Sequence, residues 1–70
     1  MNEYVCTIKL DYEWTSRRVY FDPYHNKVFI INETLFSTQN IIIGDADSKK
    51  DAKPVAEEWV KKKNQKREGL

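Results

Sequence analysis

The chain of 70 residues has one cysteine, one histidine, two glycines and two prolines, and each scarcity removes a class of function. With Cys6 alone, no intrachain disulfide and no multi-cysteine zinc cluster can be assembled, which fits a reducing compartment. Gly44 and Gly69 are the only glycines, so no phosphate-cradling glycine loop is present. His25 is the only histidine, and it lies in a turn-like stretch, so a nucleophile with its base has few parts to draw on. No apolar run approaches the ~20 residues a membrane span needs, and Met1-Asn2-Glu3-Tyr4 carries neither the basic start nor the apolar stretch of an export signal. The expectation is a non-catalytic, cytoplasmic protein with no cofactor, no bound metal and no membrane partner. Asn32-Glu33-Thr34 spells a glycosylation acceptor, which without export is a coincidence of sequence.

What is present is apolar enough to fold. Apolar residues make up 40% of the chain and aromatics 13%, too many for a disordered tail. A chain this short builds one modest core, so a single domain over residues 1–70 is expected. Such cores hold only ~3–5 kcal/mol unless a second subunit adds to them, which points to self-association.

Alternation is the clearest local signal. From Glu3 to Trp14, Tyr4, Cys6, Ile8, Leu10, Tyr12 and Trp14 share one parity, with Glu3, Val5, Thr7, Lys9, Asp11 and Glu13 on the other, the pattern of a half-buried strand. This parity makes Cys6 a buried structural thiol. Arg17 to Phe21 resumes a β-rich run that returns antiparallel. Asp22-Pro23-Tyr24-His25-Asn26-Lys27 is the strongest turn in the chain, because proline presets φ and asparagine tolerates the left-handed region. Val28 to Ile31 is apolar at four successive positions, so this strand needs cover on both faces. One helix covers only one of them, and a homodimer is the expected source of the other cover. Leu35 and Phe36 either continue this strand past a bulge or begin another, and Asn40 to Gly44 reads as the last strand.

Beyond a polar linker, Ala52, Val55, Ala56, Trp59, Val60 and Lys63 recur at helical spacing and form one stripe centred on Trp59. Ser48 or Asp51 caps its start, Pro54 suits a first turn, and Gly69 suits the end. Glu57 with Lys61 and Glu58 with Lys62 are i,i+4 pairs in the favoured order. The expected architecture is α+β: about four antiparallel strands over residues 3–44, a linker over about 45–51, and one C-terminal amphipathic helix over about 52–66 packed on the sheet.

Charge is unevenly distributed. Residues 1–47 hold four basic side chains against seven acidic ones, and the remainder holds eight against four, so a net charge of +1 conceals an acidic body and a basic tail. Two binding surfaces follow. Asp11 and Glu13, two residues apart on the polar side of the first strand, would stand roughly 6.6–6.8 Å apart, close to the spacing of successive phosphates. With Glu3, Asp22 and Glu33 they offer an acidic, DNA-like face to a basic, DNA-binding host protein. The alternative is a nucleic-acid site made of Lys61, Lys62, Lys63, Lys66 and Arg67 at the helix end, with Arg17 and Arg18 lying among aromatic residues.

The short chain, aromatic-rich β body, absent export signal and lack of catalytic residues resemble the small early proteins of bacteriophages. The resemblance is one of type and covers the whole chain without a diagnostic motif. It implies a protein-binding module that inhibits a host protein in the host cytoplasm, in some members through a DNA-like charge surface.

Overall fold

A computed structural model describes residues 2–33 and 35–68, the last two as backbone only. The chain forms β1 (Glu3–Ile8), β2 (Arg17–Asp22), β3 (Lys27–Glu33), β4 (Thr38–Asp45) and α1 (Lys49–Glu68). The strands make one antiparallel sheet in the order β1-β2-β3-β4, with α1 packed on one face, which is the expected α+β architecture. Thr34 of the acceptor triplet and Gly69 lie outside the described residues.

The core lies between sheet and helix. Ile30, Val19 and Val28 are fully buried there, each worth roughly 1.5–3 kcal/mol relative to exposure. Ile8, Phe21 and Ala46 complete the sheet side. In β3, Val28 and Ile30 therefore face the helix, and the period of two sends Phe29 and Ile31 to the opposite face.

The hairpin joining β2 to β3 closes as its sequence predicts. Asp22 Oδ1 accepts from the Tyr24 amide at 3.0 Å, an Asx turn, and Asn26 takes the left-handed conformation with φ 55°. The Ala46 amide then donates to the Asn26 carbonyl at 3.0 Å, tying the exit of β4 to this turn.

The first strand is shorter than the alternation implies. β1 ends at Ile8, because Leu10 turns into the core and its carbonyl accepts the Glu13 amide at 3.1 Å. Tyr12 and Trp14 are consequently loop residues and not strand residues. Within β1 the register shifts between Tyr4 and Cys6, so Val5 and Cys6 both pack toward the helix side while Tyr4 is sent to the other face. There it shares a 2.6 Å hydrogen bond with Thr7 Oγ1. The single parity spanning Tyr4 to Trp14 is thus broken by a bulge and then by a turn. Leu35 and Phe36 belong to the connection between β3 and β4, neither prolonging one strand nor starting another.

The helix begins at Lys49, earlier than the expected 52, because Ser48 takes the cap. Its hydroxyl and carbonyl accept the Asp51 amide at 3.3 and 3.1 Å, and its carbonyl also accepts the Ala52 amide at 3.1 Å. Pro54 consequently sits in the second turn and not the first, where its missing N–H leaves the Lys50 carbonyl without its helical donor. The stripe is seated by Ala52 and Ala56, both fully buried, with Val55, Trp59 and Val60 half-buried around them. Trp59 is therefore a flanking residue rather than the central anchor. Small residues at the contact let α1 approach closely: a Cβ added to Gly44 would lie 2.5 Å from Val55 Cγ1.

Candidate binding surfaces

Both loops that follow odd-numbered strands of this meander emerge at one end of the sheet. These are the connections after β1 and after β3. They carry Trp14 at 98%, Phe36 at 92% and Leu35 at 90% exposure. The far end of the helix reaches the same place, since Asn64 Oδ1 accepts the Asp11 amide at 3.1 Å. Fixing the loop to the helix in this way brings Lys61, Lys62, Lys63 and Lys66 to the end that carries the exposed apolar residues.

The sequence-predicted acidic set is not gathered into one surface. Glu3 and Asp22 lie at the end of the sheet bearing the β2–β3 turn, while Asp11, Glu13 and Glu33 lie at the opposite end. Because β1 stops at Ile8, Asp11 and Glu13 occupy a turn and do not form a row at strand spacing. Glu13 is already engaged: the Arg17 guanidinium donates to its Oε2 at 2.6 Å, with both side chains about three-quarters buried. Asp22 is engaged as well, by the Tyr24 amide and by His25 Nδ1 donating to Oδ2 at 2.7 Å. The bond from His25, followed by the amide bond, holds the Asp22 carboxyl below its usual range, and the group serves the turn.

The basic set is partly collected. Arg17 and Arg18 start β2 at the same end as Lys61, Lys62, Lys63 and Lys66, although Arg17 is paired to Glu13 and Arg18 points away from the helix. Lys62 reaches Glu58 at 3.8 Å, an exposed pair of small energetic value. Lys63 holds its ammonium 5.6 Å over the Trp59 ring. The Arg67 side chain lies outside the described residues. Among described side chains, this end has Lys9, Arg17, Arg18, Lys61, Lys62, Lys63 and Lys66 against Asp11, Glu13, Glu33 and the Glu58 that Lys62 reaches.

The open face of the sheet was the surface least visible in the sequence. Tyr4 on β1, Tyr20 on β2, Phe29 on β3 and Ile42 on β4 stand side by side in one row across all four strands. Tyr4 meets Tyr20 edge-on at 6.0 Å, and Tyr20 stacks on Phe29 at 5.9 Å. A shallow hollow of about 430 Å³ beside this row is lined by Arg18, Tyr20, Ile31 and Glu33 together with residues 15–17 and Asn32. The run from Val28 to Ile31 signalled that two faces needed cover. The bulge that brings Tyr4 into the row had no sequence signal.

Among the described residues no group of three histidine, cysteine, aspartate or glutamate side chains is placed to hold a metal ion. Cys6 is half-buried against the helix, and burial raises its thiol pKa above the usual 9.0, with Lys53 opposing and Glu57 adding to the shift. Among the described residues no helix is long and apolar enough to cross a membrane. Comparison of the chain with protein-family models, with characterised proteins and with solved structures finds no match.

Proposed function

We propose that this chain is a non-catalytic protein-binding module whose contact surface is the loop end of the sheet, acting in the cytoplasm as an inhibitor of a host protein of the kind the phage-type resemblance implies. The observation that carries the reading is the exposure of Trp14, Leu35 and Phe36 together at that end. Three large apolar side chains left in water on adjoining loops stabilise nothing in the free chain, and aromatic side chains of this kind supply most of the free energy at protein interfaces when a partner pocket desolvates them. The surrounding lysines favour a partner with an acidic rim, because complementary charge speeds encounter. An acidic, DNA-like surface is not part of this reading, since Glu3, Asp11, Glu13, Asp22 and Glu33 are dispersed and two of them have intramolecular partners.

Trp14→Ala combined with Phe36→Ala tests it, because side chains so exposed are removable without disturbing the core. The expected result is an unchanged melting curve together with loss of a partner that the parent captures from nuclease-treated bacterial lysate. Capture that survives the double substitution refutes the surface. The same end favours a second reading, nucleic-acid binding through Lys61, Lys62, Lys63 and Lys66. That reading predicts retention of nucleic acid that falls steeply with salt, with a shallower slope when the first three lysines are replaced by glutamine.

A further inference from the structure

The open face lies on the side of the sheet away from the helix and is independent of the loop end. The molecule is only 15 Å across its shortest dimension, one sheet and one helix thick, so among the described residues no further element covers the row of Tyr4, Tyr20, Phe29 and Ile42. Within it Phe29 is shielded by its neighbours at 6% exposure, and Tyr4 and Ile42 at its ends carry the open apolar surface. Ile42 is 62% exposed there. The rows on either side of it differ in charge. Arg18 stands on one side, with no ion-pair partner among the described residues, and on the other stands Asp22, whose carboxylate already accepts from the Tyr24 amide and His25 Nδ1 and keeps 23% of its side chain exposed. Lys27 and Asp45, in the same row as Asp22, neutralise each other at 2.7 Å.

We infer that a second copy of this chain covers the open face, the two faces stacking about a two-fold axis that runs along the row from Tyr4 to Ile42. That rotation lays each strand over its own counterpart and sets Tyr20 and Phe29 against the same apolar row. It also exchanges the flanking rows, so Arg18 lies over the partner's Asp22 in both directions. The surface is thus self-complementary, as a closed isologous dimer requires. A nucleic-acid strand fits this face poorly, because Arg18 and Lys27 are outnumbered by Asp22, Glu33 and Asp45, and the balance repels phosphates.

Size sets the affinity. Four strands about 4.8 Å apart and six residues long give a face of roughly 400 Å² in projection. A standard interface buries about 800 Å² per partner, so this dimer belongs at the weak, micromolar end.

Sedimentation equilibrium from ~1 μM to ~1 mM covers that range. The parent is expected to pass from monomer to dimer. Ile42→Asp puts a carboxylate into the apolar row, and Arg18→Asp sets like charges opposite each other; each raises Kd at least tenfold with unchanged circular dichroism. Salt separates them further: it weakens the parent dimer and strengthens that of Arg18→Asp by screening the repulsion. A parent that stays monomeric throughout the range overturns the inference, as does a dimer whose Kd neither substitution changes. A dimer abolished by the Trp14→Ala, Phe36→Ala double variant also overturns it, placing the contact at the loop end. Since that variant leaves the open face intact, partner capture and dimerisation fail separately.

Discussion

Substituting Gly44 by alanine tests how closely the helix is seated on the last strand. Gly44 does not have positive φ, so the backbone accepts alanine and the obstacle is space alone. The new methyl would fall 2.5 Å from Val55 Cγ1, and valine, branched at Cβ, has no low-energy rotamer that simply swings clear. Either the side chain leaves its rotamer or α1 lifts from β4, and overpacking of this kind costs ~1–3 kcal/mol. Alanine recovers ~0.4–1 kcal/mol by restricting the unfolded chain, leaving a net loss of about 1–2 kcal/mol. For a domain this size, that lowers Tm by roughly 5–15 °C, against a total stability of ~3–5 kcal/mol. Val55→Ala removes the clashing atom at a cost of about 1 kcal/mol for a half-buried side chain. In that background Gly44→Ala should become stabilising, a change of sign that a double-mutant cycle reads directly from thermal and urea unfolding. If Gly44→Ala melts at or above the parent temperature, or costs the same in both backgrounds, the close contact does not exist.

Ser48→Ala removes the hydroxyl that accepts the Asp51 amide and should cost about 1 kcal/mol in urea unfolding, with helix content falling first at the N-terminal end. Cys6 should react with iodoacetamide more slowly in the folded chain than in urea, because burial holds its thiol protonated. Its contribution to stability is complete below the unfolded thiol's pKa and declines as pH rises through the raised folded value, so a Cys6→Ser variant should lose less stability than the parent above about pH 9. Equal alkylation rates in the two states would remove this account of Cys6.

The elements legible in the sequence were those defined by local chemistry. The helical stripe from Ala52 to Val60, the turn from Asp22 to Lys27, and the two-faced run from Val28 to Ile31 each have a period or a turn residue that one short window contains. The course of β1 was not legible, because alternation at Tyr4, Cys6, Ile8 and Leu10 persists across a bulge and into a turn. Only pairing with Tyr20 and Val19 reveals where the register shifts. The acidic surface failed for the same reason: its spacing assumed a strand that had already ended. Lys61, Lys62, Lys63 and Lys66 were visible as a basic group, but their meeting with Trp14 and Phe36 depends on topology and on the bond between Asn64 and Asp11.

The unbroken strand order has a consequence for how the chain reaches this structure. Every strand pairs with its neighbour in sequence, so the sheet can zip outward from the hairpin at Asp22–Lys27 while closing only short loops. The distant closures are those of the helix against β1, β2 and β3, the first of which joins the two ends of the chain. The hairpins should therefore form faster than the helix docks, because loop closure over a short separation costs less. Defects in the turn would slow folding, whereas defects at Ala52 or Ala56 would chiefly quicken unfolding. A sheet formed before its helix docks would briefly leave both apolar faces open to water and to other apolar surfaces.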